Sequence, residues 1–177
     1  MILDASSRLR QAIRDVPDFP KPGIMFKDIT PILGDAALFK LAVDCYVEAS
    51  RNRQISKVVG IDARGFVFGA AVAYELGVGF VPVRKKGKLP WRCESAAYSL
   101  EYGEAVAEMH SDALHPGERV VLIDDLLATG GTAAAAIKLI EKIGAELVEA
   151  QFLIELGFLH GRNNLGGKPI RAFIQFD

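Results

Sequence analysis

The stretch Val120-Val121-Leu122-Ile123-Asp124-Asp125-Leu126-Leu127-Ala128-Thr129-Gly130-Gly131-Thr132 changes character along its length. It opens as an unbroken apolar run, passes two adjacent carboxylates, and ends in a small glycine-bearing turn. An apolar run without in-out alternation fits a strand covered on both faces of its sheet. Thr132 to Ile143 then has helical spacing and stops at Gly144. Backbone N–H groups at such a helix start, with hydroxyls from Thr129 and Thr132, suit a phosphate monoester. Gly130 and Gly131 let the backbone approach the phosphate and adopt positive φ. Asp124 and Asp125, delivered to the strand end, can accept hydrogen bonds from vicinal ribose hydroxyls or hold Mg²⁺ through water, and the two roles are compatible. A plain strand-to-helix turn with a Thr cap and solvated acids would use the same residues. The stretch is not a Walker loop, because no Gly-Lys-Thr follows, nor a dinucleotide fingerprint, because Gly-x-Gly-x-x-Gly is absent.

Outward from this stretch the pattern repeats. Val58 to Ile61 is apolar and ends at Asp62, Leu147 to Ile154 reads similarly, and Ile170 to Phe176 closes the chain. Asp35 is placed to cap a helix through Ser50, with Leu38, Leu41, Ala42, Cys45 and Ala49 on one face. Gly65 to Leu76 is a second helix, stopped by Gly77. Strands alternating with helices predict an α/β fold: a central, mainly parallel sheet with helices on both faces and right-handed crossovers. Ligands of such sheets sit at the carboxyl ends of the strands, which directs attention to Asp62, Asp124 and Asp125. Two segments break the alternation. Phe19 to Leu33 holds Pro20, Pro22, Gly23 and Pro31 and is not a regular helix. Arg84 to Ala97 is basic, carries Gly87 and Pro90, has no period, and reads as a long functional loop. Tyr98–Tyr102 and Glu104–Met109 flank Gly103 as a hairpin or bent strand pair.

Composition bounds the rest. A length of 177 residues predicts one domain spanning 1–177. Hydrophobic residues make up 50% and charged residues 24%, the balance of a packed globule rather than a disordered chain. The net charge of -1 argues against nucleic-acid binding through bulk positive charge. Two cysteines, Cys45 and Cys93, point to a reduced compartment, with Cys45 in the core and Cys93 in a mobile loop. Met1 to Arg14 has no apolar signal core, and no uncharged stretch is long enough to span a bilayer. A cytoplasmic protein without a membrane partner is the expectation. His110, His115 and His160 are scattered without metal-ligand spacing and read as bystanders.

The Val120–Thr132 stretch resembles the ribose-phosphate signature of the type I phosphoribosyltransferases. Further segments narrow the resemblance. Phe19-Pro20-Lys21-Pro22-Gly23-Ile24-Met25-Phe26-Lys27-Asp28-Ile29-Thr30-Pro31 is similar to the base-binding segment of the adenine phosphoribosyltransferase family. Ile61-Asp62-Ala63-Arg64-Gly65-Phe66 resembles its diphosphate loop. Arg84-Lys85-Lys86-Gly87-Lys88-Leu89-Pro90 and Tyr98-Ser99-Leu100-Glu101-Tyr102-Gly103 resemble its flexible loop and return strand. The match runs from near residue 10 almost to the chain end. The resemblance implies the type I phosphoribosyltransferase fold, with a base-binding segment at 19–33 and a flexible loop with return strand at 84–103. It implies a purine-salvage enzyme joining adenine to 5-phosphoribosyl 1-diphosphate, giving AMP and diphosphate.

The same resemblance implies roles for individual residues. Asp124, Asp125, Ala128, Thr129, Gly130, Gly131 and Thr132 would hold the phosphoribosyl group. Arg64, Lys85 and Lys88 would meet the diphosphate; an arginine beside a helix start is otherwise disfavoured by the helix dipole, which points independently to an anion at Arg64. Phe26 would stack on adenine, Met25 and Lys27 would reach its edge through backbone groups, and Leu156 would cover its other face. Glu101 would assist proton movement at the purine imidazole edge, with Arg64 as its catalytic companion, and Tyr102 would close as a lid residue. Mg²⁺ would be the cofactor, held through substrate diphosphate and water with Asp124 and Asp125 as its protein contacts. The loop's reach to a neighbouring subunit implies a homodimer. Enzymes for 6-oxopurines commonly carry an Asp where this chain has Ala128, and a methyl group takes no proton from a purine. An enzyme for orotate or a 6-oxopurine remains the nearer alternative. A non-catalytic sensor of the sugar diphosphate that binds DNA is the more distant one, and would need an added DNA-binding element or basic face.

Overall fold

In the computed structural model, which describes residues 2–100 and 103–177, the chain opens with helix Ile2–Ala12 (α1) and an antiparallel hairpin, Arg14–Pro17 (β1) with Met25–Asp28 (β2). The helical turn Thr30–Gly34 (α2) and helix Ala36–Ser50 (α3) lead to Lys57–Ile61 (β3), helix Arg64–Leu76 (α4) and Gly79–Lys85 (β4). Cys93–Leu100 (β5), Gly103–His110 (β6), Arg119–Leu127 (β7), helix Gly131–Ile143 (α5), Glu146–Leu156 (β8) and Ile170–Phe176 (β9) follow. Two 3-10 turns, Gly157–Leu159 and Gly161–Leu165, join the last two strands.

Seven strands make one sheet in the order β5-β6-β4-β3-β7-β8-β9. The five from β4 to β9 in that order are parallel, and the β5–β6 hairpin is added antiparallel at one edge. Both faces are covered, which is why the strand sequences lack polar alternation. Val59, Ile61, Val120 and Leu122 pack with Ala133, Ala136, Ile137 and Ile140 of α5. Val58, Val121 and Ile123 pack on the other face with Tyr46 and Val47 of α3 and Phe68 and Val72 of α4. Strand order reverses between β3 and β7: the chain leaves β3 toward β4 on one side and leaves β7 toward β8 on the other. The carboxyl ends of these two strands therefore flank the crevice where doubly wound sheets bind ligands.

The main helix signals act as expected. The Asp35 carboxylate accepts the N–H groups of Ala37 and Leu38, each at 2.9 Å, and so caps α3. Gly77 and Gly144 end α4 and α5 in left-handed conformations. Cys45 packs against the α3/α4-side core.

Several expectations need correction. Arg84–Ala97 is not one long loop: Arg84 and Lys85 end β4, Cys93 begins β5, and only 86–92 connects them. Cys93 is accordingly a partly buried strand residue, its thiol donating to the Trp91 carbonyl at 3.3 Å. The proline-rich front is more regular than expected. Residues 25–28 pair as a strand, and Pro31 sits in the first turn of α2, where its missing N–H is not needed. Helix α1 and strands β1 and β4 are additional to the elements read from sequence. Replacing Asp35 by alanine removes the α3 cap without touching the core, and is expected to lower unfolding free energy by about 1 kcal/mol with an unchanged urea m-value, read from equilibrium denaturation.

Candidate active site

The site grows from the carboxyl end of β7. The side chain of Asp125 is buried, and Asp124 beside it is half-buried. Asp124 Oδ1 accepts the Asp125 N–H at 2.9 Å, and the Tyr46 hydroxyl donates to the Asp124 carbonyl at 2.9 Å. Tyr46 is itself fully buried, and burial followed by the charges of Asp125 and Asp124 pushes its phenol well above its ordinary value. It therefore stays a neutral donor that fixes the strand end from the core side.

Two neighbouring carboxylates in a confined space repel each other. Burial first, and the Asp125 charge second, hold the Asp124 carboxyl well above the usual carboxylate range. Arg64 offsets this charge: its Nε donates to Asp125 Oδ2 in a very close ion pair. Arg64 opens α4, and α4 reaches β7 this closely because residue 65 is glycine. A Cβ there would lie 2.8 Å from Asp124 Oδ1 and 2.9 Å from the Ile123 carbonyl. The Arg64 guanidinium also stands 5.8 Å from the Phe26 ring centroid, and Phe19 packs edge-on against Phe26 at 5.1 Å. One arginine thus joins the front hairpin, the segment after β3, and the acid pair on β7.

The turn from β7 to α5 is shaped by backbone contacts. Gly130 has φ +83°, and a Cβ on it would strike the Gly161 carbonyl. No side chain caps α5. Its first helical hydrogen bond is Ala134 N–H to the Gly130 carbonyl, so the N–H groups of 131–133 precede the intrahelical ladder. A small cleft of about 80 Å³ lies beside this helix start, lined by Asp62, Arg84, Lys85, Tyr98, Ala107 and Thr132. Arg84 Nε donates to Asp62 Oδ2 at 2.9 Å, and Arg84 Nη1 donates to the Lys88 carbonyl at 3.1 Å, tying the root of the basic loop to the end of β3.

The sequence-derived residues fall as follows. Asp124, Asp125 and Arg64 meet directly. Ala128, Thr129, Gly130, Gly131 and Thr132 form the turn beside them, and Lys85 lines the adjoining cleft while Lys88 is exposed on the loop. Phe26 reaches Arg64, and Met25 next to it is exposed. The Lys27 ammonium is engaged elsewhere, on Asp15 at 2.6 Å and over the Phe176 ring, which leaves its backbone as the part available to a ligand. Leu156 is nearly buried at the end of β8, in the same apolar cluster as Ile29. Glu101 and Tyr102 lie outside the described residues. Sequence reasoning missed Arg84, Asn164 and Gly161. Arg84 carries a signal, a basic residue at the end of a strand neighbouring β3; Asn164 and Gly161 lie in a segment without period and carry none.

Among the described residues no three His, Cys, Asp or Glu side chains gather as a metal-ligand set. The two β7 carboxylates alone fit Mg²⁺, which commonly takes one or two protein carboxylates and fills its remaining positions with water and phosphate oxygens.

Comparison with known proteins agrees with this geometry. Residues 34–171 match the model of the phosphoribosyl transferase domain. The adenine phosphoribosyltransferase of Nitrosococcus oceani is 53% identical over 169 residues, covering 96% of this chain and 99% of that protein. The crystal structure of adenine phosphoribosyltransferase from Rhodothermus marinus superposes with a TM-score of 0.93 at 51% identity, covering 98% and 99% of the two chains. That of the Saccharomyces cerevisiae enzyme, complexed with an imino-altritol bisphosphate and adenine, superposes with a TM-score of 0.92 at 42% identity, covering 97% and 99%.

The raised Asp124 carboxyl has a stability consequence. A group whose pKa is higher folded than unfolded contributes stability below its unfolded value, near 4, and loses it as pH rises through the folded value. Asp124→Asn is therefore expected to melt above the parent at neutral pH. The difference should shrink toward pH ~4, where the parent carboxyl is protonated in the folded state. Thermal melts across that range check it.

Proposed function

We propose, for a chain that belongs to the adenine phosphoribosyltransferase family, a division of the reaction among its own residues. The chain is a pentosyltransferase of purine salvage: it moves the 5-phosphoribosyl group from 5-phosphoribosyl 1-diphosphate to adenine, giving AMP and diphosphate. The bond from C1 of the sugar to the diphosphate oxygen breaks, the bond from C1 to the purine nitrogen forms, and that nitrogen gives up its proton.

The turn from Ala128 to Thr132 grips the 5-phosphate through N–H groups and hydroxyls. Support for this comes from the uncapped start of α5 and the positive φ of Gly130. Asp124 and Asp125 accept the ribose hydroxyls, and their charge favours the positive character that develops at C1. Arg64 holds the acid pair before substrate arrives and, with Lys85 and Lys88, neutralises the leaving diphosphate. Mg²⁺, when bound, offsets the charge of that diphosphate, with Asp124 and Asp125 as the protein carboxylates on hand. Phe26 and Leu156 sandwich adenine, and the backbone at Met25 and Lys27 reads its edge. Glu101 receives or relays the purine proton, and Tyr102 closes over the site to exclude water. Ala128 supplies no carboxylate to a 6-oxopurine. The enzyme works as a cytoplasmic homodimer in which the basic loop of one subunit serves the diphosphate of the other. No helix among the described residues is long and apolar enough to cross a membrane.

The observation that carries the assignment of residues is the meeting of Arg64, Asp125 and Phe26, which joins the three segments that base, sugar and diphosphate require. Incubation with the sugar diphosphate, Mg²⁺ and, separately, adenine, hypoxanthine, guanine and orotate tests the specificity. Diphosphate release with adenine alone is expected, and release with hypoxanthine or orotate instead would contradict it. Asp124→Ala and Arg64→Ala should each lower kcat/KM by about 10²–10³ while the protein stays folded. Glu101→Gln should lower kcat more than it raises the KM of the sugar diphosphate, and an unchanged kcat removes Glu101 from the mechanism.

A further inference from the structure

We infer that the segment 157–165 is a brace that sets the direction of the phosphate-gripping turn, with Asn164 as its positioning residue. The inference deepens the reading above and rests on it, since it takes the turn 128–132 to be the 5-phosphate site. Three observations carry it. The Asn164 side-chain amide donates to the Thr129 carbonyl at 2.7 Å. The Gly161 backbone lies so close to the Ala128 carbonyl that any side chain there would collide with it. The Gly161 carbonyl in turn occupies the space a side chain at Gly130 would need.

Two successive carbonyls of the turn therefore face the brace, that of Thr129 held by a hydrogen bond and that of Ala128 packed against the Gly161 backbone. A trans peptide is planar, and its C=O and N–H point in opposite directions. With the carbonyls of Ala128 and Thr129 facing the brace, the N–H groups of Thr129 and Gly130 point away from it. Those N–H groups join the uncapped first turn of α5 as donors for an anion. The direction is prepared before ligand arrives, so binding does not have to order the turn.

The brace is itself fixed to the sheet. Arg162 Nε and Nη2 donate to the two carboxylate oxygens of Glu155, each at 2.7 Å, and Nη1 donates to the Ile170 carbonyl at 3.3 Å. Glu155 is 4% exposed and stands in β8, so this two-point pair holds the segment against the core. Removing Arg162 would leave a buried carboxylate unpaired and threaten the fold. Asn164 is exposed, and changing it tests the direction of the turn without that risk.

The test uses the full-length protein and compares Asn164→Ala, Asn164→Asp and the turn variant Thr129→Val/Thr132→Val. Asn164→Asp keeps the shape but replaces the donor with a carboxylate facing the Thr129 carbonyl. Loss of one such hydrogen bond is expected to raise the KM of the sugar diphosphate about five- to tenfold in Asn164→Ala, and further in Asn164→Asp. The KM of adenine at saturating sugar diphosphate and the melting temperature should stay unchanged. If the turn variant raises the KM of the sugar diphosphate and neither Asn164 variant does, the brace is overturned and the phosphate site stands. If the Asn164 variants raise both KM values alike, or lower the melting temperature together with activity, Asn164 is merely structural and the brace is overturned. If the turn variant has no effect, the phosphate site and the brace fail together.

Discussion

Two carboxylates side by side at the end of a buried strand are the constraint around which this molecule is arranged. Left alone, Asp124 and Asp125 would repel each other in surroundings that penalise even one charge. The fold supplies the compensation from three directions. Arg64 places a guanidinium on Asp125, Gly65 lets helix α4 come close enough for that pairing, and the buried Tyr46 hydroxyl ties down the main chain of Asp124. The remaining strain stays in the Asp124 carboxyl, which resists ionisation. On the proposed reading, hydroxyl donors of the sugar would favour the ionised form of this carboxyl.

The same arginine explains how distant segments of the chain meet. Arg64 lies near the Phe26 ring of the front hairpin, and the hairpin is anchored from behind by Phe176, whose ring is flanked by Arg10 and Lys27 at 4.2 Å each. Arg84 repeats the device one strand further on, linking Asp62 to the base of the basic loop. Arg64 begins a helix and Arg84 stands next to the last residue of a strand, both at the carboxyl edge of the sheet.

How much of this was legible in the sequence depends on the forces that shaped each part. β7 could be read because both of its faces are covered, which demands an unbroken apolar run, and the acids that end the run mark the ligand edge. α3 could be read from its capping Asp35 and its apolar face. β4 escaped because Pro82 reads as a strand breaker and Arg84-Lys85 read as loop, while pairing with β3 and β6 overrides both signals. β1 is four residues long, too short for a period to register. In the site, Arg84 passed as part of the basic loop despite its charge, although the β7 acids, Arg64 and the glycine turn were visible as candidates from residue type. The pairing of Arg64 with Asp125 was not, because it depends on how close α4 approaches β7. Asn164 and Gly161 were also hidden, because they act on carbonyl groups every residue possesses.

The account rests on the state of the acid pair, and ¹³C NMR titration of the Asp124 carboxyl measures it directly. In the free protein the account predicts a carboxyl that titrates well above the usual aspartate range. On addition of 5-phosphoribosyl 1-diphosphate with Mg²⁺ it predicts a shift downward, because hydroxyl donors and a cation favour the charged form. An ordinary titration in the free protein, unmoved by the sugar diphosphate, would contradict it.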